Sequence, residues 1–149
     1  MIRAVLDANV FVSALLTTDS PPAKILDAWH ARHLTLVVSP EILAEIGRII
    51  RYPKIRARHK WSEARLALFM RRLRRLTLVT PGYLRVAVVK EDPDDDKYLA
   101  CALEGDAEHV VTGDRHLLRL GQYQRVRILA ARAFLEILPS ESPGKTQAE

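Results

Sequence analysis

Apolar residues along this chain alternate between two rhythms. Residues 2–6 are apolar apart from Arg3, a run too short for a helix and suited to a strand buried on both faces of a parallel sheet. Residues 9–16 read as a short helix or turn behind it. Pro21 and Pro22 start a helix to about residue 31, and residues 34–38 form a second strand. Ser39-Pro40-Glu41 is a strong helix start, with serine as the cap, proline at the first helical position and an acid at the positive end of the dipole. Ile42, Ile46, Ile49 and Ile50 give that helix its core spacing. Two basic helical stretches follow, split near residues 60–62, where Ser62 caps the second and Leu66, Phe69, Met70 and Leu73 form its apolar face. Residues 76–79 suit a third strand, with Pro81 and Gly82 at its exit. Asp94-Asp95-Asp96 opens a helix through Leu103, and residues 109–112 make a strand that runs into Gly113-Asp114. A strand at 126–129 and a helix at 132–138 close the domain. Strands separated by helices predict an α/β fold, a three-layer α/β/α sandwich with a mostly parallel central sheet. One domain over residues 1–138 is expected, with 139–149 as a tail of disorder composition.

Length and composition agree with one ordinary domain: 149 residues, 48% hydrophobic. Residues 11–16 are among the longest apolar stretches, far short of the roughly 20 residues that span a bilayer. The amino terminus runs into an acid, Asp7, without the pattern of a signal peptide, so a cytoplasmic protein with no membrane partner is expected. The single cysteine, Cys101, excludes an internal disulfide and a Cys-rich zinc site. Gly144-Lys145-Thr146 imitates the end of a phosphate-binding loop, but Pro139 stands where its first glycine belongs.

The net charge of +5 is unevenly spread. Residues 48–75 hold eleven Lys and Arg against one acid, Glu63, whereas residues 91–114 hold nine acids against one base, Lys97. A basic stripe would draw in a polyanion, and an acidic cluster could hold the divalent cations that let a phosphate approach.

Two of the expected strands end in an acid, Asp7 and Asp114. If these strands are central and adjacent, both carboxylates sit at one sheet edge, where open α/β sheets bind ligands. The turn at Asp94 to Asp96 opens toward the same edge. Glu45 lies beside the apolar face of its helix and needs a partner. Singly, each acid has a structural explanation: Asp7 and Asp114 as helix caps, Asp94 and Asp95 as helix-start acids, Glu45 as a boundary residue. Together, four carboxylates in one crevice repel one another unless a cation neutralises them, and Mg²⁺ or Mn²⁺ suits an all-oxygen inventory.

Val5-Leu6-Asp7-Ala8-Asn9-Val10-Phe11-Val12-Ser13-Ala14-Leu15-Leu16 resembles the opening of PIN domains, the fold of many VapC-type toxin ribonucleases. Ser39-Pro40-Glu41-Ile42-Leu43-Ala44-Glu45-Ile46 is similar to the family's second acidic segment, Asp92-Pro93-Asp94-Asp95-Asp96-Lys97-Tyr98-Leu99-Ala100 to its third, and Val110-Val111-Thr112-Gly113-Asp114 to its fourth. The resemblance covers about residues 2–138. It implies metal-binding and catalytic acids at Asp7, Glu45, Asp96 and Asp114, with Asn9 and Thr112 as polar neighbours. Asp96 aligns best in the third segment, because Leu99 and Ala102 then fall where that helix has apolar residues; Asp94 and Asp95 are the alternatives. Position 116, often acidic in the family, is His116 here, which bears on whether a second metal site is complete.

The activity so implied is a Mg²⁺- or Mn²⁺-dependent endoribonuclease, the toxin of a toxin–antitoxin pair, with RNA as substrate, a small antitoxin protein as partner and a homodimer left open. Arg48, Arg51, Lys54, Arg71, Arg72, Arg74 and Arg75 would hold the RNA backbone, where such residues supply affinity but little sequence choice. A noncatalytic PIN-like module that binds nucleic acid or protein, and a nuclease acting on DNA, are the alternatives. The chain has no Gly-x-Ser-x-Gly elbow and no glycine-rich dinucleotide fingerprint to support another chemistry.

Overall fold

A computed structural model describes residues 1–139, so the expected tail lies, Pro139 apart, outside the described residues, as does Gly144-Lys145-Thr146. The first strand, β1 (Arg3–Leu6), has Ala4, Val5 and Leu6 at no more than 1% exposure. Successive strand residues face opposite sides, so both faces of β1 are covered. The same holds for β2 (Thr35–Val38) and β4 (His109–Val111), whose burial is continuous rather than alternating.

Between β1 and β2 run α1 (Ala8–Leu16) and α2 (Pro21–His30). After β2, the Ser39 side chain accepts from the Ile42 amide at 3.2 Å and starts α3 (Pro40–Ile49), which buries Ile42, Leu43 and Ile46. The basic segment folds as α4 (Pro53–His59) and α5 (Glu63–Leu76), divided at Lys60, whose φ of 60° is left-handed. A two-residue strand, β3 (Leu78–Val79), follows. Then come α6 (Asp96–Glu104), β4, α7 (Arg115–Leu120), β5 (Gln122–Tyr123), β6 (Val126–Leu129) and α8 (Ala131–Ile137).

The strand order is β3-β2-β1-β4-β6-β5, parallel except for β5 against β6. The chain leaves β1 toward β2 and β3 on one side and later returns to build β4 and β6 on the other. Strand order therefore reverses between β1 and β4, which are directly paired through Ala4 with His109, Val5 with Val110 and Leu6 with Val111. This is the three-layer α/β sandwich expected from the pattern, with Asp7 and Asp114 at the carboxyl edge of its two central strands.

Helix α6 lies along β1, β2, β4 and β6. Its close seating depends on Gly105, where an added Cβ would fall 2.4 Å from Val37 Cγ1. Cys101 is buried in the core, and burial pushes its thiol up to about 12, which leaves it a small apolar residue. The short α7 is the helix that Asp114 caps, while the β5–β6 hairpin, whose turn places Gln124 at a φ of 53°, goes beyond the sequence reading. Among the described residues, no helix is long and apolar enough to cross a membrane.

Candidate metal centre

Asp7 follows β1 as the cap of α1, with Oδ1 accepting from the Asn9 amide at 3.0 Å and Oδ2 from the Thr112 hydroxyl at 2.8 Å. Its side chain is buried and held from two sides. Thr112, 1% exposed, also accepts from the Asp114 amide at 3.0 Å, so one hydroxyl sets the ends of both central strands relative to each other. Asp114 caps α7, its Oδ1 accepting from the amides of His116 and Leu117 at 2.8 and 3.1 Å. Both caps spend an oxygen on a helix start, as the structural reading of each acid expects. Asn9 is exposed and contributes its backbone amide.

The third acidic segment forms a single 3₁₀ turn, Pro93–Asp95, that leads into α6. This turn separates the three consecutive aspartates. Asp94 is exposed and pairs with Lys97 at 2.8 Å. Asp96, the first residue of α6, accepts the amides of Val88 and Val89 on Oδ1, at 3.1 and 2.8 Å. Asp95, 8% exposed, is the one that enters the crevice. One oxygen from each of Asp92, Asp95 and Asp114 lies within 4.8 Å of the others.

The Asp95 Oδ2 is buried with no hydrogen-bond partner. Burial, and then the charges of Asp114, Asp92 and Asp7, push its carboxyl up to about 7. An orphaned oxygen among like charges costs free energy in the absence of a counter-ion, and hard oxygen donors at this spacing fit a divalent cation.

Glu45 is reached from α6. Its Oε1 accepts from the Tyr98 hydroxyl at 2.5 Å and lies 3.3 Å from Lys97 Nζ. The same Tyr98 oxygen accepts from the Ala8 amide at 3.3 Å, so α3, α6 and the start of α1 meet at one phenol. Burial, reinforced by Asp7 and Glu45, raises the Tyr98 pKa and keeps the hydroxyl protonated as a donor. Lys97 is 7% exposed at its side chain; burial alone would lower it, but Asp94 and Glu45 outweigh that and hold it above the usual lysine range. Both contacts of Glu45 fall on Oε1, which leaves Oε2 to accept from water or to bind a cation.

Sequence reasoning passed over Asp92, Tyr98 and Lys97. The burial of α6 does not single out Asp95 either, because the helix buries the consecutive residues Tyr98, Leu99, Ala100, Cys101 and Ala102.

Of the basic residues, Arg51 is held by Glu63 at 2.8 Å and by the Gly47 carbonyl, and Arg56 also reaches Glu63. Arg48, Lys54, Arg71, Arg72, Arg74 and Arg75 are exposed and form no ion pair among the described residues. His116 donates its backbone amide to Asp114, and its Nδ1 is buried without a partner.

Comparison with known proteins agrees with this architecture. The family model of the PIN domain matches residues 3–116, from the first residue of β1 to just beyond the Asp114 cap. An uncharacterized protein of Methanocaldococcus jannaschii, MJ1680, is 33% identical over 119 residues, 80% of this chain and 75% of that protein.

Proposed function

The chain belongs to the PIN-domain family, a nuclease-type fold, and from that premise we propose that it is a divalent-metal-dependent endoribonuclease and the toxin of a toxin–antitoxin pair. The observation that carries the reading is the unpartnered Oδ2 of Asp95, buried beside Asp92 and Asp114 at the carboxyl edge of the central strands. In this reading Asp92, Asp95 and Asp114 hold Mg²⁺ or Mn²⁺, with Asp7 beside them and Glu45 as a further ligand or as the group that orients water. Asp95 takes the place that alignment gives to Asp96. The chemistry such ions supply when bound is charge neutralisation of a phosphodiester and activation of water.

The chain's own residues do the positioning. Thr112 and the Asn9 amide fix the Asp7 carboxylate, and the amides that open α7 fix Asp114. Tyr98 and Lys97 hold Glu45 on one oxygen and leave the other for a water proton. Arg71, Arg72, Arg74 and Arg75, exposed on α5, take the phosphates flanking the cleaved bond, and a small antitoxin protein is the partner.

The test is cleavage of labelled RNA and DNA of matched sequence by the purified full chain, with Mn²⁺, Mg²⁺ or EDTA, against Asp7→Asn. RNA cleavage that stops in EDTA and in Asp7→Asn is expected, as is growth arrest on expression that Asp7→Asn relieves. Cleavage of DNA alone would reassign the substrate. Binding without cleavage of either would favour a noncatalytic module, the reading that His116 supports by standing where the family often has an acid.

A further inference from the structure

Residues 80–89, which run from β3 toward the acidic turn, belong to no helix or strand. The Thr80 amide still bonds the Val38 carbonyl of β2, but five of the amides that follow are taken by carboxylates at the two ends of α6. Glu104, the last residue of the helix, accepts Gly82 on Oε1 at 2.9 Å and Tyr83 and Leu84 on Oε2 at 2.9 and 3.1 Å. Burial alone would raise the Glu104 pKa, but these three amides outweigh it and hold the carboxyl below its ordinary value. Asp96, the first residue, takes Val88 and Val89 on a single oxygen. The segment thus lies antiparallel to the helix as a strap with a pin at each end.

The strap has little slack. About 12 Å of helix rise separates residues 96 and 104, and the step from Leu84 to Val88 covers about 13 Å when extended. Beyond the second pin, only Lys90 and Glu91 separate Val89, 4% exposed and anchored in the core, from Asp92. Asp92 is thus held from two sides, by the Asp95 amide that its carbonyl accepts at 3.0 Å and by the strap, which sets where the chain enters that turn.

We propose that Asp96 is a positioning residue: it ties the strap to α6 and so delivers Asp92 to the acidic crevice, rather than holding a cation itself. The inference rests on the metal-centre reading above. It separates the roles of two adjacent aspartates, Asp95 facing the crevice and Asp96 facing the strap.

Asparagine distinguishes the two roles, because it keeps an oxygen that can accept both amides but lacks a carboxylate. The experiment compares wild type, Asp96→Asn, Asp96→Ala and Asp95→Asn in the full chain. Hydrogen exchange of the Val88 and Val89 amides is followed by NMR, and Mn²⁺ binding by electron paramagnetic resonance. In Asp96→Ala the two amides should exchange at least about tenfold faster and Mn²⁺ should bind about 10- to 100-fold more weakly, as when a ligand's support is removed. Asp96→Asn should stay within about threefold of wild type in both measurements, since its remaining oxygen keeps the pin. Asp95→Asn should lose Mn²⁺ while keeping both amides protected. Loss of Mn²⁺ by Asp96→Asn as complete as by Asp95→Asn would make Asp96 a ligand and overturn the proposal. So would wild-type protection of the two amides in Asp96→Ala. A wild type that binds no Mn²⁺ would overturn the metal-centre reading instead, and the amide exchange would still decide whether Asp96 is the pin.

Discussion

Asparagine at position 95 would keep the shape of the side chain and remove its charge from the crevice. Without a cation, burial and the charges of Asp114, Asp92 and Asp7 hold the Asp95 carboxyl at about 7, against an ordinary value of 3.8. A carboxyl whose folded value lies above its unfolded value helps folding fully while it is protonated in both states, below about pH 4, and that help is lost as the pH climbs through 7. A gap of about three units, at about 1.4 kcal/mol each, sets a ceiling near 4 kcal/mol. The charge is shared with Asp114 and the crevice opens to water, so about half, roughly 2 kcal/mol, is expected at pH 8. In EDTA at pH 8, Asp95→Asn should therefore be the more stable protein by about 2 kcal/mol, or roughly 4–8 °C in Tm. The advantage should shrink toward zero by pH 4. Urea melts across that range, in EDTA and again in Mn²⁺, supply the assay. Mn²⁺ at a hundred times its Kd should add about 2.7 kcal/mol to the wild type and nothing to the variant, inverting their order. A stability difference that is flat from pH 4 to 8, or a variant weaker than wild type at pH 8 in EDTA, would refute the reasoning.

Three further outcomes follow from the geometry. Tyr98→Phe removes the hydroxyl that joins Glu45 to the Ala8 amide and should cost about 1–3 kcal/mol in a urea melt; an unchanged midpoint would mean that water replaces it. Asp7→Ala loses the cap that Asp7→Asn retains, so the alanine variant should be the less stable of the two by about 1 kcal/mol while both lack cleavage. Replacing Arg71, Arg72, Arg74 and Arg75 together with Gln should weaken binding of every RNA sequence alike and flatten the slope of log affinity against log salt by up to about 0.7 to 0.9 per lost contact; an unaltered slope would move the RNA path toward Arg48 and Lys54.

The strands of the sheet's centre were legible because burial on both faces leaves no reason for alternation, and short apolar runs such as Val110-Val111 record that directly. Ser39-Pro40-Glu41 fixed the start of α3 in the same way, since cap, proline and acid each act within one turn. The β5–β6 hairpin escaped because its turn uses Gln124 in a left-handed conformation without the glycine or asparagine that would signal it. The strap escaped for a different reason: its amides are satisfied by Glu104, 20 to 22 residues away, a pairing that no local pattern carries. The acid of the third segment is the instructive case. A 3₁₀ turn ahead of α6 leaves each of three neighbouring aspartates in a different surrounding, and neither residue type nor the burial of the helix, continuous from Tyr98 to Ala102, could separate them.

The hydrogen bond between Asp7 and Thr112 spans 105 positions of sequence. At about 5–20 residues per second, a ribosome needs roughly 5 to 20 s to travel between them. Through that interval the growing chain carries Asp7, and in time Glu45, on a half-sheet whose central strand still lacks β4 along one edge. The acids of the third segment emerge later, and Asp114 and its supporting threonine are almost the last of the crevice to be made. A nascent chain therefore holds the parts of the centre without the centre. Whatever chemistry the centre performs, it gains only once β4 and Asp114 have been made.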